Sequence, residues 1–407
     1  MALLSLSRRL MTNPSVPIPR RLRSLEDRGE ECAAELAGLT DNDVRSIWRA
    51  TRALYRTGMS PAISLALRRH GELFMNRALG YRSLSPATPI DVDTPVCLFS
   101  ASKAITAVLV HYLAEQGQLD LNKPVAHYVP EYGSAGKERT TIMHLLTHRG
   151  GVPRIQEDVD PSALFDIDTV RDMMRRAKAR RPGREQAYHA ITAGFVLGEV
   201  IERVTGDSIN VLLDRVIRQP MGMQYFTYGM DHGIPADNVT TGLQMAPVDS
   251  FLKHAVGGPL QQVVDVSNDP RFRQVAIPAG NLYATAEEAS RFFQMLLNGG
   301  EWQGQRILER RTVENAVKPV KEARFDRTLL IPLQYSAGFM LGQKNISLYG
   351  PGTPRAFGHL GFISIYCWAD PQRDLAGALL TTGKGIVGPH LPALIRLQMV
   401  INRHCLG

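Results

Sequence analysis

Apolar positions along the chain fall into blocks of different period. Between Thr40 and Gly58, residues Val44, Ile47, Trp48, Leu54 and Tyr55 recur at helical spacing, with Thr40 and Asp43 placed as a capping pair and Gly58 then Pro61 as the stop. An amphipathic helix is predicted there. The next stretch, "AISLALRRHGELFMNRALGY", holds two β-like runs about His70-Gly71, alternating before the turn, and reads as a hairpin. Further on, Ile105, Val108, Leu109, Tyr112 and Leu113 make one apolar helical stripe that Gly117 ends. Towards the other end, "FISIYCWADPQRDLAGALLTT" gives two strands joined by an Asp-Pro turn, and "PHLPALIRLQMVINRHCLG" closes the chain with a helix. Between the strand-bearing ends the pattern is mostly helical, broken by irregular stretches such as 220–275. This predicts an α/β fold: an antiparallel sheet flanked by N- and C-terminal helices, with an inserted mainly helical region. The expected division is a basic tail over 1–25, an α/β domain from 26–98 and 275–407, and a helical region over 99–274.

Composition narrows the class. The 407 residues, 44% apolar and 21% charged, suit a soluble globular protein with a sizeable core. The formal charge of +8 is concentrated: Arg8, Arg9, Arg20, Arg21 and Arg23 precede the first acid, Glu26, and a second run spans Arg175 to Arg184. Neither run is interleaved with aromatic residues or carried on a recognisable module, so nucleic acid is not an expected partner and a solvated helix face is the expected role of the second. Cys32, Cys97, Cys367 and Cys405 are scattered without CxxC spacing, which points to reduced thiols rather than a disulfide framework or a zinc site. No window offers the roughly 18 apolar residues of a spanning helix. The apolar run at the start is too short for a signal peptide, so the cytoplasm is the expected location, with organellar import through the basic start as the minor alternative.

Candidate chemistry begins with Ser-x-x-Lys, which occurs at Ser100–Lys103, Ser134–Lys137 and Ser250–Lys253. Ser100 sits at the mouth of the apolar helix, where positions three apart share a face and exposed N–H groups favour an oxyanion. A serine hydroxyl is a weak nucleophile until a base takes its proton, and a lysine serves only if its own pKa is lowered, which the apolar flanks in "VCLFSASKAITAV" would do by burial. Ser134 lies in a glycine-rich turn, "EYGSAGKERT", where no helix aims the pair; Ser250, in "APVDSFLKHAVGG", can start a short helix and stays as a rival. On the motif alone, an N-cap serine beside a surface lysine is the better account of Ser100 and Lys103. Tyr188 follows a Pro-Gly turn and precedes a helix, where a phenol can project into a cleft. His359-Leu360-Gly361 stands at a strand entry, where glycine lets a substrate approach the backbone. His144 and His148 are four apart but lack the Glu of His-Glu-x-x-His and a third ligand, so no metal site is expected, and no cofactor either. No Gly-x-Ser-x-Gly elbow or phosphate-binding glycine loop occurs.

In sequence order, Ser100–Lys103, "TIMHLLTHRGGV", the Pro-Gly then Tyr188 element, "GNLYATAEEASRFFQMLLNGG" and His359–Gly361 resemble the serine β-lactamase-like superfamily, specifically its class C β-lactamase-like esterases, the family VIII carboxylesterases. The resemblance runs over most of residues 50–405 and implies a β-lactamase/transpeptidase-like fold. It implies Ser100 as nucleophile, Lys103 and Tyr188 as the acid and base pair, and the backbone amides of Ser100 and Phe362 as the oxyanion hole. It also implies substrate-binding roles for His359 and Gly361. Which of Lys103 and Tyr188 takes the first proton is left open. The pattern departs at two places: Tyr188-His189-Ala190 stands where β-lactamases have Tyr-x-Asn, and His359-Leu360-Gly361 where they have Lys-Thr-Gly or Lys-Ser-Gly. Without that amide and that lysine, neutral esters are the better substrate expectation than β-lactams or peptides. Acyl transfer by the same acyl-enzyme, β-lactamase or DD-peptidase work, and a non-catalytic scaffold are the alternatives. Segments 153–180 and 220–275 are expected to wall the cleft, with Phe165, Met173, Met174, Tyr225, Phe226 and Phe251 as apolar lining for an acyl or alcohol group.

Overall fold

The computed structural model describes residues 16–156, 160–230, 232–242, 245–362 and 364–406. Its main sheet is built from β1 (Glu26–Arg28), β2 (Ala62–Arg69), β3 (Glu72–Leu84), β4 (Ala87–Pro89), β5 (Met340–Leu341), β6 (Phe357–Gly361), β7 (Ile365–Asp370) and β8 (Leu375–Thr381). They run in the order β1-β3-β2-β8-β7-β6-β5, with β4 paired to β3, and every pairing is antiparallel. The central contact joins the two ends of the chain: Ile63 of β2 faces Thr381 of β8, and Arg69 faces Leu375.

The helices that matter below are α1 (Asp41–Tyr55), α2 (Ser102–Glu115), α3 (Thr192–Thr205), α4 (Ala246–Val256), α5 (Leu260–Asn268), α6 (Ala286–Leu297) and α7 (His390–His404). Strand β2 shows why they pack as they do. All its residues are buried, and its sequence alternates small and large side chains. Ile63, Leu65 and Leu67 point to one face and join Trp48 and Leu54 of α1 and Leu397 and Ile401 of α7. Ala62 and Ala66, with Ala376 and Ala378 of β8, point to the other, where their small size lets Phe292 and Phe293 of α6 come in close. The Thr40/Asp43 capping box forms as the spacing predicts, and Asp43 also meets His404 of α7 at 2.6 Å.

Three expectations change. The stripe on α2 is not a stripe: Ser102 to His111 are buried without a break, so α2 is a central helix covered all round. The basic run at 175–184 is not one helix face. Its helix stops at Arg176, and carboxylates meet the charges, Glu199 meeting Arg175 at 2.6 Å and Glu185 meeting Arg181 at 2.9 Å. Of the tail, residues 1–15 lie outside the described residues, while Val16 bonds the Gly58 carbonyl at 2.8 Å and Leu22 and Leu25 are buried beside α1. Among the described residues no helix is long and apolar enough to cross a membrane.

Candidate active site

A small three-stranded sheet, Val96–Cys97, Leu282–Ala284 and Thr227–Tyr228, delivers the chain to Ser100. The Leu98 N–H bonds the Leu282 carbonyl at 2.8 Å, and the chain then tightens into a 3-10 turn, Phe99–Ala101, before α2 begins at Ser102. Ser100 therefore sits one step before the α-helix, in a turn that Ser102 braces: its hydroxyl donates to the Phe99 carbonyl at 2.5 Å and accepts the Leu282 N–H at 3.0 Å. Phe99 is held at φ +47°, a backbone region that non-glycine residues enter only when their surroundings compel it.

Lys103, one turn on, places its Nζ 3.0 Å from Ser100 Oγ and donates to the Ala279 carbonyl at 2.9 Å. The same nitrogen lies 4.9 Å from the centre of the Tyr188 ring. The lysine is buried and forms no ion pair with a carboxylate among the described residues, and desolvation holds its pKa well below the ordinary lysine value. Ala279 reaches it because α3 carries glycine at 194: a Cβ there would stand 2.5 Å from the Ala279 Cβ. The loop itself is fixed by Asn281, which accepts from the Ile277 N–H and donates to the Phe272 and Val275 carbonyls.

Tyr188 lies on an extended segment pinned from both sides. Its N–H donates to Asp326 Oδ1 at 3.0 Å, and Gln186 Nε2 donates to the Arg324 and Leu333 carbonyls. On the other side the Ala187 N–H meets the His148 carbonyl at 3.0 Å, and the His189 N–H donates to His148 Nδ1 at 3.2 Å. Burial pushes the Tyr188 phenol up, a hydrogen bond to the Ser100 side chain opposes that rise, and the Asp326 carboxylate adds to it. Ser100, Lys103 and Tyr188 are thus brought together.

Three imidazoles surround this pair. His148 packs 4.6 Å from Tyr188 and 4.8 Å from Tyr335, centre to centre, and His359 stands 6.1 Å from Tyr188. Burial lowers all of them: His148 well below the ordinary value, His189 to about 4 and His359 to about 3. They are neutral rings at neutral pH. His359 and Gly361 do not reach the cleft wall. The His359 imidazole is buried with Nδ1 on the Leu360 carbonyl at 2.7 Å, and the close approach that requires glycine at 361 comes from Leu98, whose carbonyl oxygen would stand 2.1 Å from a Cβ there. That contact lays the Ser100 turn directly over the turn after β6, where Phe362 sits at φ +43° with its ring 5.3 Å from Phe99.

Above Ser100 opens a cavity of about 440 Å³. Ser100 and Tyr188 form part of its floor, Leu252, Val256 and Val263 of α4 and α5 one wall, and Leu329, Ile331 and Leu333 another. Arg154 is the charged side chain at its edge, and no carboxylate lines it among the described residues. Of the apolar residues expected to line it, Phe251 does; Met173, Met174 and Phe226 are core residues instead.

The rival serines separate cleanly. Ser250 and Lys253 are both exposed on α4. Lys137 is buried, but its Nζ donates to the Arg175 and Ala177 carbonyls. His144 caps its own short helix by accepting the Thr141 N–H, while His148 lies beyond that helix at φ +54° and points to Tyr188. Asp326 and Tyr335 are the neighbours of the site that no motif flags, while His148 and His189 lie inside quoted motifs that assign them no place beside Tyr188.

Comparison with known proteins points to one family. The beta-lactamase family model matches residues 50–398. The chain is 26% identical over 374 residues to the esterase/beta-lactamase LipL of Mycobacterium tuberculosis, covering 86% of this chain and 84% of that protein. Esterase EstB of Burkholderia gladioli is 32% identical over 177 residues, 38% of this chain and 44% of that protein. Among solved structures, a family VIII carboxylesterase superposes with a TM-score of 0.78 at 25% identity, covering 93% of this chain and 100% of that one. A penicillin-binding protein homologue from Caulobacter crescentus does so with a TM-score of 0.76, also at 25% identity, over 90% and 98%.

Proposed function

The chain belongs to the beta-lactamase family, among its hydrolase enzymes, and from that premise we propose that it cleaves neutral carboxylic esters with an apolar acyl or alcohol group through an acyl-enzyme on Ser100. The observation that carries the reading is the buried Lys103 amine 3.0 Å from the Oγ of Ser100, the serine at the floor of an apolar cleft that no carboxylate lines among the described residues. Desolvation favours a neutral amine in Lys103 and a protonated phenol in Tyr188, which makes Lys103 the first base and Tyr188 the acid.

In this reading Lys103 takes the Ser100 proton as Oγ attacks the ester carbonyl, and the oxyanion rests on the amides of Ser100 and Phe362. As the carbon–oxygen bond to the alcohol breaks, Tyr188 protonates the departing alkoxide and regains a proton from the Lys103 ammonium. Water then enters with the same groups acting in reverse and releases the acid. An alcohol in place of water would give acyl transfer, and the apolar walls, which favour an organic acceptor over water, support that second outcome. The absence of an acylamino-holding amide at Ala190 and of a cation at His359 supports esters over β-lactams. A cytoplasmic setting is part of the proposal, supported by the four free cysteines.

The test is labelling with a fluorophosphonate, mapped by mass spectrometry, on the native protein and on Ser100→Ala and Ser250→Ala. The expected label is on Ser100 and is lost only in Ser100→Ala. Label on Ser250, or on no serine, overturns the assignment.

A further inference from the structure

The hairpin from Arg324 to Leu333 faces two ways. Towards the interior, Leu329, Ile331 and Leu333 line the cleft, and Asp326 holds the Tyr188 amide and the Tyr335 hydroxyl. Towards solvent, it presents Phe325 at 58% exposure, Leu330 at 52% and Ile331 at 44%, so that Ile331 belongs to both sides. Leu330 sits at φ +59°, fixed by its N–H on the Asp326 carbonyl at 2.8 Å and by the Asp326 N–H on the Ile331 carbonyl at 2.9 Å. A leucine held in a strained conformation with half its surface in water is a feature that folding alone does not reward.

Charge on the same strip is one-sided. Lys318, Lys321, Arg324 and Arg327 recur at every third position, all exposed. Arg327 is 3.5 Å from Glu185, and Glu322 is the one outward acid between Lys318 and Arg327, since Asp326 is turned in. The charges of Arg149 and Arg324 hold the Lys321 amine below its ordinary value, the mark of positive groups crowding one another. Exposed apolar tips beside cations that, Arg327 apart, form no ion pair among the described residues, at the mouth of an apolar cleft, match a surface that is apolar beneath and anionic on top.

We propose that the 318–333 segment docks the cleft mouth onto an anionic lipid surface. Phe325 and Leu330 enter the headgroup boundary, Lys318, Lys321 and Arg324 face the lipid phosphates, and an apolar ester passes from the lipid past Ile331 into the cleft. The last step rests on the ester-cleaving function proposed above; the docking does not.

The experiment is co-sedimentation of the full chain with vesicles of phosphatidylcholine alone and of phosphatidylcholine with phosphatidylglycerol, alongside sedimentation velocity of the free protein. The expected result is partition at least about tenfold stronger on the anionic vesicles, weakening as salt screens the contact. Lys321→Glu with Arg324→Glu abolishes it, and Phe325→Ser with Leu330→Ser lowers it about tenfold, while thermal unfolding and hydrolysis of a short soluble ester stay unchanged. Equal partition on both vesicles, no partition, or variants that bind like the native chain overturn the proposal. So does a dimer that the Phe325→Ser, Leu330→Ser variant dissociates, which would make the hairpin a contact between two copies. Vesicle binding is read without turnover, so a protein that docks but cleaves no ester overturns the function and leaves the docking standing.

Discussion

The same four-residue pattern occurs at the start of α2 and in the middle of α4, and the two copies behave as different chemistry. At Ser100 the lysine is buried, is offered one carbonyl, from Ala279, and has its remaining hydrogen-bonding capacity turned to the serine hydroxyl at 3.0 Å. At Ser250 both side chains stand in water on the outside of α4. A third copy, Ser134–Lys137, is intermediate: the lysine is buried, but two carbonyls take its nitrogen. Spacing supplies reach in each case. What distinguishes Ser100 is a lysine stripped of water, without an ion pair among the described residues, whose nitrogen also meets the serine hydroxyl, the environment in which the proposed base role is favoured.

The contrast is broken most severely at the proposed nucleophile. Ser100→Ala is expected to cut kcat for a chromogenic ester by about 10⁴- to 10⁶-fold, the loss typical when a unit of this kind loses its nucleophile. Lys103→Met should lower kcat about 10²- to 10⁴-fold, in the range of a lost general base, and cost about 1–3 kcal/mol of stability by leaving the Ala279 carbonyl without its donor. Lys103→Arg should do no better, because a guanidinium is not deprotonated in a protein. Recovery of activity in Lys103→Arg would show that positive charge, not proton transfer, is what the position supplies.

How far the sequence made this legible differs between the frame and the site. Alternating small and large residues in "AISLALRR" carry the sheet's two faces openly, and Thr40 with Asp43 forms the cap that its spacing announces. Ser100, Lys103 and Tyr188 were readable because local motifs carry them in a recognisable order. Their supports were not. Asp326 meets the Tyr188 amide across 138 residues and Tyr335 reaches the same carboxylate by the turn of a hairpin, so no periodicity links them. His148 shows the limit of spacing from the other side: it is four residues from His144, but the helix ends at Leu146 and a left-handed residue sends the ring to Tyr188. The cleft lining was read only partly, since Met173, Met174 and Phe226 have the same apolar character as Phe251 and only packing decides which of them faces a cavity.

The sealed rings around Lys103 give the next largest effect, on stability. His189 at about 4 and His359 at about 3 lie below the ordinary histidine value, so in the window between about 6.5 and those values the unfolded chain binds protons that the folded chain refuses. Stability is therefore full above about pH 6.5 and falls as pH drops through the window. Each ring should cost about 2 kcal/mol between pH 7 and pH 5. Denaturant unfolding at the two pH values tests this, with His359→Gln as the control that should recover about that amount at pH 5. A native protein equally stable at both would mean that water reaches the rings.

The smallest effects come from the other two copies, and they sharpen the comparison most because they separate burial from function. Lys137→Met leaves the Arg175 and Ala177 carbonyls without their donor, at a cost of about 1–3 kcal/mol, and should leave kcat untouched. Ser250→Ala changes an exposed hydroxyl, so both stability and rate should stay within about 0.5 kcal/mol of native. Measured together by thermal unfolding and ester turnover, the three variants should fall into three classes: catalytic loss with instability at Lys103, instability without catalytic loss at Lys137, and neither at Ser250. A rate loss at Lys137 comparable to that at Lys103 would mean that a buried lysine matters here for the frame, and the argument from desolvation at Ser100 would lose its footing.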